Sequence, residues 1–205
     1  MKKTAVALAA LGLFTALGSV AGQAVAADGP WQVRARVVNI NPADKSDPVG
    51  GAGAANRITV SDKTIPEVDI SCFLTPNIAA ELILTYPQKH DVRLDGNKVG
   101  TFKHLPPTLS LQYHFAPDRQ FSPYVGAGIN YTSIHKVRLG ALGLEHKSVG
   151  LSFQAGADFK LDKNWVLNVD VKKVQIQSDV LLSGAKVSKV KVDPVLIGVG
   201  VGYRF

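Results

Sequence analysis

Charged residues in this chain recur at alternate positions inside runs that are otherwise apolar. Arg34 and Arg36 lie in WQVRARVVNI, Asp69 in EVDISCFL and Glu81 in NIAAELILTY. Asp158 and Lys160 lie in VGLSFQAGADFKL, Asp170 and Lys172 in WVLNVDVKKVQI, and Arg204 in VLIGVGVGYRF. Such groups are costly among apolar neighbours unless each finds an opposite charge or a hydrogen bond. A spacing of two puts them on one face of extended chain. The chemistry they suggest is mutual neutralisation, an ionic plug in an enclosed space. Catalysis is not indicated. The five histidines, at positions 90, 104, 114, 135 and 146, show no metal-ligand spacing, so neither a metal nor a cofactor is expected. No Ser or Asp beside His114 marks a triad, and no nucleophile with a base is apparent. GAGIN and GVGVG are glycine-rich but lie within alternating stretches, not at a strand-to-helix turn, which argues against a phosphate loop. Cys72 is the single cysteine and has no partner for an intramolecular disulfide.

Eight segments carry these residues. Period-2 alternation predicts strands over 31–40, 67–74, 77–86, 108–115, 123–134, 149–161, 165–176 and about 191–205. Long connections, 41–66, 87–107, 135–148 and 177–190, alternate with the short ones TP, APDRQFS and DKN. That pattern predicts an all-β fold: an eight-stranded, antiparallel, up-and-down transmembrane β-barrel with short periplasmic turns and long extracellular loops. Val149, Leu151, Phe153, Ala155, Ala157, Phe159 and Leu161 form one apolar row, opposed by Gly150, Ser152, Gln154, Gly156, Asp158 and Lys160. In a membrane barrel the apolar row faces lipid and the glycine-rich polar row fills a crowded interior. Aromatic residues stand where girdles belong: Trp31, Trp165, Tyr203 and Phe205 at one end, Tyr86 and Tyr131 toward the long loops.

The first residues read as a targeting segment. MKK is a basic start, an apolar stretch follows, and AVAA supplies a cleavage site. Residues 1–26 are therefore expected to leave as a signal peptide, and 27–205 to form the barrel in the outer membrane of a Gram-negative cell. The net charge is +7, and +5 (21 basic against 16 acidic residues) without Lys2 and Lys3. The basic residues are scattered, so nucleic acid is not an expected partner; anionic headgroups are.

Alternation places Arg34, Arg36, Glu67, Asp69, Glu81, His114, Asp158, Lys160, Asp170, Lys172 and Arg204 inside. At eight strands the interior holds little more than side chains, so a wide aqueous pore is not expected. Prolines point to another route. Pro87 ends the third strand in TYPQKHD, and Pro106 and Pro107 precede the fourth in HLPPTL. These two strands are neighbours, and proline has no N–H to donate to a ladder. Their outer ends are expected to pair poorly, leaving a lateral opening through which an apolar molecule could leave sideways. Phe73 and Ile83 are expected to offer apolar contact beside it.

NINP, LTPNIAAEL, KHLPPTLSLQYHF, SPYVGAGINYT, DKNWVLNVDV and the terminal GVGYRF together resemble the OmpW family of outer-membrane proteins, which includes AlkL- and OprG-type members. The resemblance covers nearly all of the chain after the first segment. It implies a narrow, largely hydrophobic lumen, passive uptake of small hydrophobic molecules and lateral release into the membrane. It also implies insertion by the outer-membrane assembly machinery, which recognises the final strand with Tyr203 and Phe205. Ile83 falls where the family has an apolar lumen residue. Lys172 falls where members carry an aromatic, which makes this lumen less apolar. The third long loop, HKVRLGALGLEHKS, is shorter than in some relatives, implying a shallower outer funnel. Some members are implicated as toxin receptors. A structural or receptor barrel with a sealed interior, its loops binding toxin, phage or host, is thus the alternative to transport.

Overall fold

Each alternating strand has one face suited to lipid. In a bilayer such strands satisfy all their backbone groups only by closing into a cylinder. The computed structural model describes residues 29–43, 45–48, 54–138, 142–182 and 185–205. The segment read as a signal peptide lies outside the described residues, as do positions 49–53 of the glycine-rich first loop. Among the described residues the strands are, in chain order, β1 (Trp31–Asn41), β2 (Lys45–Ser46), β3 (Ile58–Val60), β4 (Lys63–Phe73) and β5 (Ile78–Leu84). Next come β6 (Gln88–Leu94), β7 (Asn97–Leu105), β8 (Thr108–His114), β9 (Phe121–Arg138) and β10 (Leu142–Leu144). The last are β11 (Lys147–Lys160), β12 (Trp165–Val174), β13 (Gln177–Leu182), β14 (Ala185–Lys191) and β15 (Val195–Arg204).

Eight of these close the barrel in the order β1-β4-β5-β8-β9-β11-β12-β15, and β15 returns to β1. All pairings are antiparallel. Gln32 stands opposite Arg204 and Asn41 opposite Val195 at the closing seam. The short turns at 74–77, 115–120 and 161–164 share the end that holds Trp31 and Phe205, which makes this the periplasmic end. The lipid face is exposed as the alternation requires: Leu109, Leu111, Ile129, Val149, Leu151, Phe153 and Ile197 are all large and open. At the periplasmic rim the Trp165 and Tyr203 rings meet edge to face at 5.0 Å, with Phe205 stacked at 6.3 Å from Tyr203.

The long connections depart from plain loops. Residues 88–105 fold into the hairpin β6–β7 around Asp95 and Gly96, whose φ angles of 51° and 81° suit a tight hairpin turn. β7 then takes the place of β8 beside the upper half of β9, and β3 adds to β6. A second sheet, β10-β13-β14-β2, stands over the same end. β4 also begins at Lys63, four residues earlier than the proline at 66 suggests. Pro66 is tolerated inside the strand, opposite Val37 of β1, because β4 has no ladder partner on its other side at this level.

Candidate functional site

The interior has two stories, and the change between them can be followed along single strands. Going up β1, the inward residues are Gln32, Arg34 and Arg36, then Val38 and Ile40, all buried. On β12 they are Asn168, Asp170 and Lys172, then Val174, with Ile176 just beyond. β4 and β5 switch at Glu67 to Ile65 and at Glu81 to Ile83.

The lower story is a buried ionic network. The Arg34 guanidinium donates to Asp158 at 2.7 Å, to Asp69 at 3.1 Å and to the Ser71 hydroxyl at 2.9 Å. Arg36 pairs with Asp69 at 2.6 Å and Glu81 at 3.1 Å. Its Nε lies 3.1 Å from Glu67, an ion pair without hydrogen-bond geometry. Lys172 joins from above, 3.5 Å from Glu67 and 3.6 Å from Asp170. Carboxylates outnumber cations here, and neutral donors serve the surplus oxygens. Tyr124 donates to Asp170 at 2.9 Å, Asn168 to Asp158 at 2.8 Å and Gln154 to Glu81 at 2.7 Å. Glycine makes the room. A Cβ at Gly200 would stand 2.1 Å from the Ala35 carbonyl and 2.8 Å from the Arg36 side chain; one at Gly202 would stand 2.9 Å from Arg34. Tyr124, Gln154 and Asn168 carry no charge to mark them in the sequence as donors, although their strands' alternation points them inward.

Three residues lie elsewhere than expected. Lys160 is expected in the plug, but its ammonium donates to the Pro117 carbonyl at 2.5 Å, at the periplasmic turn where the strand ends. Arg204 is also at that mouth, its guanidinium 4.0 Å above the Phe73 ring and donating to Gly29 O at 3.0 Å. Phe73 is expected beside the prolines. It instead closes the periplasmic end, 5.0 Å from the His114 ring, because β4 runs downward and ends there. His114 packs between Phe73 and Tyr124 and faces Gln112 at 3.2 Å.

The upper story is apolar. Above the Glu67–Lys172 pair lies a cavity of about 30 Å³, room for roughly one or two waters. Ile40, Ile65, Ile83, Val174, Ile176 and Leu196 supply most of its lining, with Thr85, His104, Pro106 and Thr108 on one side. That side is where the wall is interrupted. The β4–β5 ladder stops at Val68 opposite Leu84, and the β5–β8 ladder at Ile83 opposite Thr108. Above these pairs, residues 63–67 of β4 have a ladder to β1 alone. Pro66 borders the break on one side; Pro87, Pro106 and Pro107 border it on the other. The Pro107 carbonyl accepts from the Tyr131 N–H at 3.1 Å, so that proline stays tied to β9. Over the break sits β6, tied to the β3–β4 bend by the Ser61 N–H donating to Asp91 O at 3.1 Å. His90 faces inward there, stacked on His104 at 4.9 Å, with its Nδ1 2.8 Å from Ser61 O. Burial pushes the His90 imidazole below its usual range, against the pull of the Ser61 carbonyl. Ile58, Val60, Val92, Phe102, Ile134, Val180 and Val190 close the top as one apolar core.

Comparison with known proteins agrees with this architecture. The model of the OmpW family matches residues 27–205. An uncharacterised outer-membrane protein of Sinorhizobium fredii, y4mB, is 43% identical over 86% of this chain and 80% of its own. Outer membrane protein W of Escherichia coli is 33% identical over the whole of both chains. The crystal structure of OprG from Pseudomonas aeruginosa superimposes with a TM-score of 0.76 at 27% identity, covering 86% of this chain and 96% of that one. The barrel, its outward apolar belt and this match from end to end make one conclusion: the chain belongs to the OmpW family and is an outer-membrane protein.

Proposed function

We propose that the barrel passes small hydrophobic molecules from the cell surface into the membrane, sideways through the break between β4 and the β5–β8 pair. The observation that carries this reading is the position of the apolar cavity. It lies directly on the ionic network and directly beside the unpaired stretch of β4. Straight passage along the axis would disrupt ion pairs among fully buried groups such as Arg34 and Asp69. That costs several kcal/mol per uncompensated charge. The sideways path leads past Ile65, Ile83, Thr85, His104, Pro106 and Thr108 and breaks no ion pair. A concentration gradient drives the flux, with no cofactor and no chemical step. Lys172 and Glu67 form the cavity floor, which favours substrates with a polar end over pure hydrocarbons.

Tyr203, outward on β15, and Phe205, just after it, serve in this reading as the strand signal for the assembly machinery, after residues 1–26 have been removed. A mature protein whose measured mass starts near residue 27 or 28 is the expected result.

The test of transport is uptake of a small apolar tracer by liposomes that hold the barrel, against liposomes that hold a sealed eight-stranded barrel. Faster uptake with this protein is expected. Equal rates would remove the transport reading and leave the sealed receptor barrel. Replacing Pro106 and Pro107 with threonine supplies the missing N–H groups and is expected to slow uptake several-fold; an unchanged rate would rule out the lateral route.

A further inference from the structure

A cluster of cations lies outside the barrel, on the outer face of the β6–β7–β9 sheet. Lys89, Lys103, Lys136 and Arg138 surround an open hollow of about 240 Å³, with Thr101 at its base. Lys89 and Lys103 are direct cross-strand partners. Like charges directly opposite one another destabilise a sheet, and among the described residues none of these four cations has a salt bridge. Asp91, the carboxylate on the same face of β6, is already taken by Lys98 at 2.9 Å. Lys63 approaches the same edge and donates to Lys89 O at 3.4 Å.

The backbone is also shaped to bring the charges together. β7 and β9 slip register between Thr101 opposite Arg138 and Lys103 opposite His135, so β9 carries one extra residue. That residue is Lys136, with φ of 51°, in the left-handed region that a lysine seldom adopts. A bulge of this kind re-aims a side chain. Without it, Lys136 and Arg138 would not share the hollow with Lys103.

Height in the membrane selects the occupant. Ile129 and Tyr131, lower on β9, are exposed to lipid, as is Leu109 beside them on β8. From Tyr131 to His135, opposite Lys103, β9 rises about 13 Å. At a tilt near 40° that is about 10 Å above the aromatic belt. The belt marks the headgroup level, and the long lysine and arginine side chains of the hollow can reach down toward it from above. We propose that the hollow binds the phosphate groups of an acylated, phosphorylated glycolipid of the outer leaflet, whose chains lie on the β8–β9 face below. The lipid would then stand next to the wall break and line the exit from it.

The test uses the folded mature barrel in non-ionic micelles and titrates three probes: a bisphosphorylated, acylated glucosamine disaccharide, the same lipid with its phosphates removed, and inorganic phosphate. Binding is read by native mass spectrometry. At least a tenfold preference for the phosphorylated lipid is expected, weakening with salt. The variant K89Q/K103Q/R138Q is expected to lose that preference, while Lys147→Gln on β11 keeps it. If the triple variant does not give the β-sheet circular dichroism of the native barrel, K103Q alone is expected to lose about threefold. Equal binding of the two lipids would overturn the site. So would an equal loss with Lys147→Gln or an unchanged affinity in the folded variants. Inorganic phosphate that displaces the lipid at equal concentration would overturn the lipid as occupant.

Discussion

The two stories of the interior are built by opposite rules within the same eight strands. Below the level of Lys172, most inward positions are polar or charged and joined in a network of ion pairs and hydrogen bonds; above it, they are mostly branched aliphatic residues and Phe102, with His90, His104, Thr108 and Asn130 on the side of the wall break. The outer face changes in the opposite sense, apolar in the bilayer and cationic on the β6–β7 sheet above it. Inside and outside thus exchange character near the outer headgroups. The lower story resembles an inverted soluble protein and the upper story an ordinary one. An ionic interior gives rigidity and a seal, because each group has several directional partners. An apolar interior has no such demands, so it tolerates a broken wall and a small void beside it.

This contrast yields tests of decreasing size. Arg34→Met should be the most damaging, since it strands Asp158 and Asp69 in a buried space. A loss of about 3–5 kcal/mol of barrel stability is expected, measured by urea unfolding in lipid vesicles. Phe102→Ala should act on the upper story alone. It should loosen the β6–β7 hairpin by about 3 kcal/mol, seen as faster proteolysis within residues 88–105 with unchanged unfolding of the membrane wall. If both variants lowered the same single transition, the two stories would be one unit. Gly200→Ala should cost about 1–3 kcal/mol through overpacking against the Ala35 carbonyl and Arg36, again by urea unfolding. Lys172→Met, at the boundary, should move the cavity floor toward the apolar rule and raise uptake of a pure hydrocarbon a few-fold relative to an alcohol of the same length.

The smallest effect concerns pH. His90 is held neutral among the His104 ring, the Ser61 carbonyl, Lys63 and Asp91. Its folded pKa lies below the unfolded value of about 6.5. Upper-story stability should therefore be full above that pH and decline as pH falls toward the folded value. Amide exchange in β6 should report the decline, and His90→Gln should abolish it.

Alternation made the wall and the lower story legible, because a charge inside an apolar run has one sensible place to go. Arg34, Arg36, Asp69, Glu81, Asp158 and Asp170 meet as their parity requires. Parity does not give height, and so it does not reveal that Phe73, Lys160 and Arg204 belong at the periplasmic mouth. Following the same parity beyond Arg36 and Lys172 reaches Val38, Ile40, Val174 and Ile176, which marks the upper story. The β6–β7 hairpin had a local signal too, the Asp95-Gly96 pair between alternating runs. The register slip at Lys136 had none, since it depends on which strand β9 meets above Pro107.

The closing seam has a consequence for how the protein is made. β15 sits between β12 and β1, and Phe205 and Trp31 exchange backbone hydrogen bonds across it. A chain synthesised from its N-terminus therefore holds β1 as an open edge until β15 arrives, and an exposed edge invites pairing with other chains. Joining segments so remote in sequence is intrinsically slow. Arg34 and Arg36 lie on that same edge strand. Their pairs with Glu67, Asp69 and Glu81 lie within β1, β4 and β5 and can form first, whereas Asp158, Asp170 and Lys172 join only when the cylinder closes, so the last ion pairs of the plug and the seam form together.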